Sequence, residues 1–370
     1  MHLNPVDIDA FFSLLRAGLW GENPDASKIQ QADWQTIFQL SCEQGVIGVV
    51  TDAVAKLPKE QRPPKPLFAS MLLTVKGIED DNRKALTIAG KLQWYLHKLG
   101  CDTVILKGLG MARNYPNPEH RIVGDIDLLT ELSADAFDKA RNILLKIDPN
   151  ETDADLKRRH AAYSINGQMI ELHGTISGGV SPEIDRYMKE FSVREFAKPP
   201  VEWKSPIGPL HLPPYQFDAI YIFAHFFRHF IGAACGLRQL CDWVLFLDKH
   251  GDKVDVGVLR NDLEKMKLMR AWQIFASIAV NYLGMPKEKM LLYDRSGDKD
   301  CRKAVLAVIK ANHNLAKLRE KNKNGKKMAA LLQHAKSFFY LIPTYYVNLK
   351  VFPHETIYSL KNYILSRLHE

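Results

Sequence analysis

The chain has 370 residues, 46% of them hydrophobic and 25% charged, a composition that is typical of globular proteins and excludes disordered, collagen-like and disulfide-scaffold classes. At about 150 residues per domain, this length predicts two or three domains. The formal net charge is +8, and the segment 310–327 carries most of the excess, with seven Lys or Arg residues against one Glu. The segment lacks the interleaved aromatic residues that stack on bases, so we interpret it as a solvated linker between helices, with binding of RNA, DNA or an acidic partner as the alternative.

The pattern of cysteines and the lengths of the apolar runs predict the cellular location of the protein. The five cysteines form no C-x-x-C pair, so we expect reduced thiols and a cytoplasmic location. No apolar run reaches the length of about 18 residues that a spanning helix needs, and the first residues, MHLNPVDIDAFFSLL, lack the basic region of a signal peptide. We therefore expect neither a membrane span nor export.

The N-terminal region, residues 1–100, carries a helical pattern. Its apolar residues recur mostly at spacings of three and four, and a Pro-rich interruption at 58–66 separates its first half from its second. Residues 67–99 can run as one long helix. This region is predicted to be entirely helical.

The pattern changes to alternating strands and helices in residues 101–205. A β-branched run at 103–106 predicts a strand, a short helix follows it, and period-two alternation at 125–129 predicts a second strand. Ser133 is a suitable N-cap for a helix over 134–145. Residues 161–165 and 168–173 are predicted to form two strands that turn at Asn166-Gly167, a strong hairpin signal.

Helical periodicity returns after Pro213 and continues to the end of the chain, so residues 206–370 are predicted to form a helical C-terminal domain. The fold class that follows is α+β. A small mixed β-sheet core is flanked by helical N-terminal and C-terminal regions.

Asp125 and Asp127 are the residues with the clearest chemical meaning. Residues two apart on a strand point to the same face, about 6.5–7 Å apart, so both carboxylates project to one side. Paired carboxylates suit Mg²⁺, which takes oxygen ligands and keeps places for water and substrate phosphates. Glu171, on the second hairpin strand, offers a third carboxylate. The alternative for this D-x-D pattern is a solvated strand face or turn.

Lys107-Gly108 ends the first strand and opens the helix after it. Gly permits close backbone approach, the exposed amides of a first helical turn can bind phosphate oxygens, and Lys107 can add positive charge. A surface lysine and a plain turn glycine are the alternatives. Arg121, four residues before Asp125, either reaches the phosphates with its planar guanidinium or forms a salt bridge that holds its loop.

These motifs occur in a recognisable order along the chain: Leu106-Lys107-Gly108, Tyr115-Pro116, Arg121, Gly124-Asp125-Ile126-Asp127-Leu128-Leu129 and Glu171-Leu172-His173. In this order they resemble the bacterial uncharacterised nucleotidyltransferase family of the polymerase-β-like nucleotidyltransferase superfamily. The resemblance extends over residues 30–250 and includes His225, His229, Gly236-Leu237-Arg238 and Asp242.

The resemblance implies an enzyme that uses Mg²⁺ or Mn²⁺ to move a nucleoside monophosphate from a nucleoside triphosphate to an acceptor, with release of pyrophosphate. Asp125 and Asp127 match the paired metal-binding acids, and Glu171 matches the third catalytic carboxylate, which binds a second metal or acts as a general base. The implied nucleotide-binding residues are Lys107, Gly108, Arg121, Gly124 and His173. The acceptor is a small molecule, a protein or RNA, with nucleic acid not favoured and no membrane partner expected.

Other interpretations stay open at this stage. Lys107-Gly108 stands where the superfamily has Gly-Ser, which favours a catalytically degenerate protein that binds nucleotide or a partner. An RNA-modifying enzyme that uses the 310–327 segment is a third possibility. His173 shares the strand face of Glu171, so it contacts substrate, orders that carboxylate or is satisfied by a backbone carbonyl.

His225 and His229 have the i, i+4 spacing that can bind zinc, but neither an H-E-x-x-H pattern nor a third ligand accompanies them. We interpret them as lining the contact between the helical domain and the core. Arg238 and Asp242 are expected to form an i, i+4 ion pair nearby.

Overall fold

The computed structural model describes residues 4–176, 180–232, 235–323 and 342–368. Helices fill both ends of the chain, and the strands lie between residues 103 and 212. The helices are α1 (Pro5–Trp20), α2 (Trp34–Glu43), α3 (Ile47–Ala55), α4 (Lys65–Lys98), α5 (Gly108–Ala112), α6 (Ala134–Ile147), α7 (Pro182–Phe196), α8 (Tyr215–Ile231), α9 (Leu237–His250), α10 (Val256–Lys265), α11 (Met269–Asn281), α12 (Asp298–Lys323), α13 (342–351) and α14 (Pro353–Leu368). The strands are β1 (Thr103–Leu106), β2 (Ile126–Thr130), β3 (Asp153–Asp155), β4 (His160–Ile165), β5 (Gln168–His173), β6 (Val201–Ser205) and β7 (Gly208–Leu212).

The predicted α+β class is confirmed, and so are the long helix and the hairpin. Helix α4 ends before Gly100, whose positive φ of 72° is the left-handed conformation that commonly terminates helices. The Ser133 side chain accepts a hydrogen bond from the amide of Ala136 and caps α6. Asn166 and Gly167 both have positive φ, as a two-residue type I′ hairpin turn requires.

The central sheet has five strands in the order β1-β2-β5-β4-β3. The β1–β2, β5–β4 and β4–β3 pairs are antiparallel, whereas β2 and β5 are parallel. The parallel register aligns Asp127 with Glu171, and the antiparallel register aligns His160 with His173. The sheet is therefore mixed, and its parallel pair brings two acidic residues side by side.

Both faces of this sheet are covered, which explains why β2 is buried along its whole length. Ile126 and Leu128 pack with α4 and α6 in one hydrophobic cluster. Leu129, on the opposite face, packs in a second cluster that includes the C-terminal helices. Because side chains alternate along a strand, Asp127 lies on the face that meets those helices.

A second, two-stranded sheet, β6–β7, was missed by the helix-dominated interpretation of the sequence. Gln93 of α4 joins this hairpin to the central sheet, because its side-chain amide donates to the carbonyl oxygens of Thr103 (2.7 Å) and His211 (3.1 Å). The three-domain division at residues 100 and 205 stays a prediction.

The N-terminal and C-terminal helices share one hydrophobic core. Arg16 and Trp20 of α1 donate to the carbonyl oxygens of Tyr282 and Leu283, both at 2.6 Å, and the rings of Phe12 and Tyr282 meet at 5.2 Å. All five cysteines are free thiols. None of the helices in the described ranges combines the length and the apolar character that a membrane span requires.

The basic segment 310–327 is only partly described. Its residues 310–323 belong to α12 rather than to a linker, and residues 324–327 lie outside the described residues. The alternatives proposed for this segment stay predictions.

Alanine substitutions at two helical glycines, one crowded and one exposed, test the packing of α1 on α3. A Cβ on Gly18 of α1 would lie 2.0 Å from the carbonyl oxygen of Val49, whereas a Cβ on Gly77 of α4 would have no neighbour within 4 Å. We expect Gly18→Ala to lower the free energy of unfolding by about 1–3 kcal/mol through overpacking, and Gly77→Ala to raise it by about 0.5–1 kcal/mol through lower chain entropy in the unfolded state. Urea unfolding measures both, and equal effects of the two substitutions would contradict the described helix contact.

Candidate active site

Three carboxylates meet where β2 and β5 lie side by side. Asp125 directly precedes β2, Asp127 lies within it, and Glu171 is the parallel partner of Asp127 on β5. One oxygen from each of the three residues lies within 4.8 Å of the others. The Asp127 side chain is 1% exposed, whereas those of Asp125 and Glu171 are 40% and 29% exposed. The structure thus brings together the three acids that the sequence singled out.

Lys107 is held against these acids by an unusual backbone turn. Lys107 and Gly108 both have positive φ, 38° and 28°, and the first of these is rare for a residue with a side chain. The Lys107 ammonium lies 2.7 Å from Asp127 Oδ2 and 3.7 Å from Asp125 Oδ2. Burial alone would lower the pKa of Lys107, but attraction by Asp127 and Asp125 raises it above its ordinary value. Lys107 therefore stays charged and compensates the acids.

The two aspartates differ in how well their charge is compensated. Burial and repulsion by Asp127 raise the pKa of Asp125. Burial acts in the same direction on Asp127, but Lys107 and the hydrogen bond from His173 outweigh it and lower the pKa of Asp127. Asp125 is thus the partly exposed carboxylate whose ionised form has the most to gain from a bound cation.

Two histidines surround Glu171. His173 Nε2 donates to Asp127 Oδ1 at 2.9 Å, and the same nitrogen lies 3.4 Å from Glu171 Oε2. His160 Nε2 lies 3.6 Å from that oxygen. Contacts with the two imidazoles hold the pKa of Glu171 well below its usual range. His160 was missed in the sequence, although counting back from the Asn166-Gly167 turn pairs it with His173.

A cavity of about 220 Å³ opens beside the acids, between the core and helices α8 and α9. The core contributes the Lys107-Gly108 turn, Arg121, Gly124 and Asp125 to its wall, and the helices contribute His225, His229, Arg238 and Asp242 among others. The interpretation that His225 and His229 line the contact between the helical domain and the core is in agreement with this position. Burial and nearby cations lower the pKa of His229 to about 4 and that of His225 well below its ordinary value, so both imidazoles are neutral at pH 7.

Arg121 lies in the cavity wall, but its guanidinium is engaged by Asp242 and is not free to bind phosphate. It is 4% exposed; its Nε donates to Asp242 Oδ1 at 3.0 Å, its Nη2 contacts Asp242 Oδ2, and its Nη1 donates to the Ile122 carbonyl at 2.8 Å. The alternative interpretation, a salt bridge that holds the loop, describes what the structure shows. Tyr115 completes this arrangement by donating to Asp242 Oδ1 at 2.7 Å.

The expected ion pair between Arg238 and Asp242 is wrong, because Asp242 pairs with Arg121. Arg238 Nη1 donates instead to the Ile122 carbonyl at 3.1 Å. Burial and repulsion by Arg121 lower the pKa of Arg238. Arg238 lines the cavity and forms no ion pair within the described residues, although Asp242 and Asp125 attract its charge.

Comparison with known proteins adds to this geometry. The profile of a family described as uncharacterised nucleotidyltransferase matches residues 30–284, well over half of the chain. The chain belongs to this family. Its matched region includes all three carboxylates, the Lys107-Gly108 turn and both helices that close the cavity, and it extends beyond the predicted limit at residue 250. Neither a curated protein nor a solved structure matches the chain. Membership of the uncharacterised nucleotidyltransferase family supports a general nucleotidyltransferase role.

The Arg121–Asp242 pair of this family member is expected to be structural. Arg121→Met leaves the Asp242 carboxylate buried without its cation, and breaking such a pair costs about 3–5 kcal/mol of unfolding free energy. The exposed Arg83–Glu119 pair provides the control, because Arg83→Met should cost only about 0–1 kcal/mol. Urea unfolding measures both, and an equal loss in the two variants would show that the buried pair is not a structural element.

Proposed function

We propose that this chain transfers a nucleoside monophosphate from a nucleoside triphosphate to a hydroxyl or phosphate group of an acceptor, releases pyrophosphate, and requires Mg²⁺ or Mn²⁺. One observation carries the proposal: three carboxylates from adjacent strands converge, and one of them, Asp125, lines a small cavity together with Arg238, which forms no ion pair among the described residues. Nucleotidyl transfer needs this combination, since a metal-bound polyphosphate must be held by oxygen ligands on one side and by cationic donors on the other.

The donor set fits a hard divalent cation. Asp125, Asp127 and Glu171 offer only oxygen atoms, within 4.8 Å of one another, and Mg²⁺ and Mn²⁺ prefer carboxylate and water ligands. Asp127 Oδ2 is buried and lies 2.7 Å from the Lys107 ammonium, so a bound metal shares this carboxylate with Lys107. When bound, the metal supplies electrostatic stabilisation of phosphate oxygens and lowers the pKa of an attacking hydroxyl.

The residues of the chain have separate roles in this proposal. Arg238, with the backbone amides of the Lys107-Gly108 turn, binds phosphate oxygens in the cavity, a role that the sequence had suggested for Arg121. Lys107 holds Asp127 in its ionised form. Glu171 acts as a metal ligand rather than as a general base, because its pKa is lowered and a weakly basic carboxylate accepts protons poorly. His173 orders both Asp127 and Glu171.

Thermal unfolding tests nucleotide and metal binding directly. With ATP, CTP, GTP or UTP and Mg²⁺ or Mn²⁺, a triphosphate present at 100 times its dissociation constant should stabilise the folded chain by about 2.7 kcal/mol. Asp125→Asn should abolish this stabilisation, because it removes the charge of the most exposed carboxylate of the group.

Asp138→Asn is the matched control, since Asp138 is an exposed acid on α6. The control should keep the full metal-dependent stabilisation. The site assignment fails if Asp125→Asn responds to triphosphate and metal as the wild type does. It also fails if no triphosphate stabilises the wild type with either metal.

Nucleotide binding without transfer is the second candidate function. The contact of Lys107 with Asp127 favours it, because a fixed ammonium occupies part of the space next to the paired acids that a cation would need. Release of pyrophosphate from a triphosphate and a broad acceptor mixture distinguishes the two. We expect release by the wild type and at least about a hundredfold less by Asp125→Asn, in line with the loss of a metal ligand. Tight triphosphate binding without any release would support the second candidate.

A further inference from the structure

A second group of metal-binding side chains lies on the same face of the sheet and contains nitrogen ligands. His160 is on β4, and Glu171 and His173 are on β5. The antiparallel register places His160 directly opposite His173. One ligand atom from each of the three residues lies within 4.8 Å of the others.

The separations between Glu171 and the two imidazoles match the ligand spacing around a tetrahedral metal, although His173 Nε2 also contacts Asp127 Oδ1. Glu171 Oε2 lies 3.4 Å from His173 Nε2 and 3.6 Å from His160 Nε2, longer than the hydrogen-bond range of about 2.7–3.2 Å. Bonds of 2.0–2.1 Å around tetrahedral Zn²⁺ place its ligands about 3.3 Å apart. The two imidazole rings are inclined at 57° with centroids 5.1 Å apart, so they do not stack face to face.

The Lys107 ammonium acts electrostatically on this group but contacts Asp127 rather than Glu171. Lys107 contacts Asp127 Oδ2, whereas His173 contacts Asp127 Oδ1. Among the described residues no Lys or Arg lies within ion-pair distance of Glu171, whose ion-pair partners are His160 and His173. A cation at the histidines therefore does not have to displace the Lys107 ammonium.

We propose that His160, Glu171 and His173 bind a transition-metal cation, and we take Zn²⁺ as the test cation. Imidazole nitrogens suit Zn²⁺ and its neighbours, whereas Mg²⁺ prefers an all-oxygen set. Three protein ligands leave the fourth tetrahedral position for water or a substrate group. When Nε2 of His173 ligates the metal, its proton is released to solvent.

Glu171 belongs to both groups, and this has a consequence for the proposed reaction. Zn²⁺ that holds Glu171 at the histidines removes it from the carboxylate group with Asp125 and Asp127. Zn²⁺ therefore competes with Mn²⁺ for the chain. The Zn²⁺ site itself does not depend on the proposed function, whereas the competition rests on the metal assignment in it.

Equilibrium competition with a chromogenic Zn²⁺ chelator tests the site on the full chain. The Cys42→Ser background removes the exposed thiol, which would otherwise offer Zn²⁺ a ligand. We expect one Zn²⁺ per chain. Because changes that only support a ligand already weaken metal binding about 10–100-fold, His160→Gln should weaken it by at least about 100-fold.

His97→Gln is the matched control, because His97 is an exposed imidazole that lies 2.6 Å from a single carboxylate, that of Asp102. It should bind Zn²⁺ as the parent does. Wild-type affinity in His160→Gln, or no Zn²⁺ binding by the parent, would overturn the proposal. His160 is 24% exposed, and a thermal unfolding curve for each variant shows whether it is folded.

Titration of Mn²⁺, followed by its free-ion electron paramagnetic resonance signal, tests the shared use of Glu171. Zn²⁺ should displace Mn²⁺ from the parent chain and fail to do so at the same concentration from His160→Gln. Loss of Mn²⁺ binding in Asp125→Asn together with intact Zn²⁺ binding would separate the two groups. An absence of Mn²⁺ binding in the parent would count against the proposed function and leave the chelator result to decide the Zn²⁺ site.

Discussion

The buried carboxylate of Asp127 is the constraint around which the core of this protein is arranged. Removing an ionised carboxylate from water costs several kcal/mol unless charges and hydrogen bonds compensate it. Lys107 and His173 supply that compensation, one to each carboxylate oxygen. The positive φ of Lys107 and Gly108 belongs to the turn that carries the Lys107 ammonium to Asp127. Strand pairing, the positive-φ turn and burial therefore all determine the surroundings of the Asp127 carboxylate.

The helical regions complete this arrangement rather than merely flanking it. Asp127 lies on the sheet face that meets the C-terminal helices, and α8 and α9 supply the far wall of the cavity. The Arg121–Asp242 pair fixes the loop before β2 to α9, so the position of Asp125 depends on a helix more than a hundred residues later in the chain. Because that pair satisfies Arg121, Arg238 is the cavity arginine that forms no ion pair within the part of the chain that the structure describes.

Glu171 gives the site two kinds of ligand set. With Asp125 and Asp127 it forms an all-oxygen group, and with His160 and His173 it forms a mixed nitrogen and oxygen group. Hard cations such as Mg²⁺ prefer the all-oxygen group, whereas borderline cations such as Zn²⁺ prefer the group that contains imidazole nitrogens. Under the two proposals above, the metal that is bound depends on which neighbours Glu171 engages.

The sequence by itself determined the parts of this protein that depend on local order. Periodicity predicted the long helix, the Asn166-Gly167 turn predicted the hairpin, and the D-x-D spacing predicted two carboxylates near one strand edge. The same hairpin register places His160 opposite His173, so the position of His160 beside the site could also be predicted from the turn.

The tertiary structure decided which partners these side chains contact. Arg121 and Asp242 are 121 residues apart, and no local pattern distinguishes an arginine whose charge is satisfied by a distant helix from one that is free to bind phosphate. Charge compensation in a buried site depends on three-dimensional proximity, and only the packing of α8 and α9 against the sheet sets it.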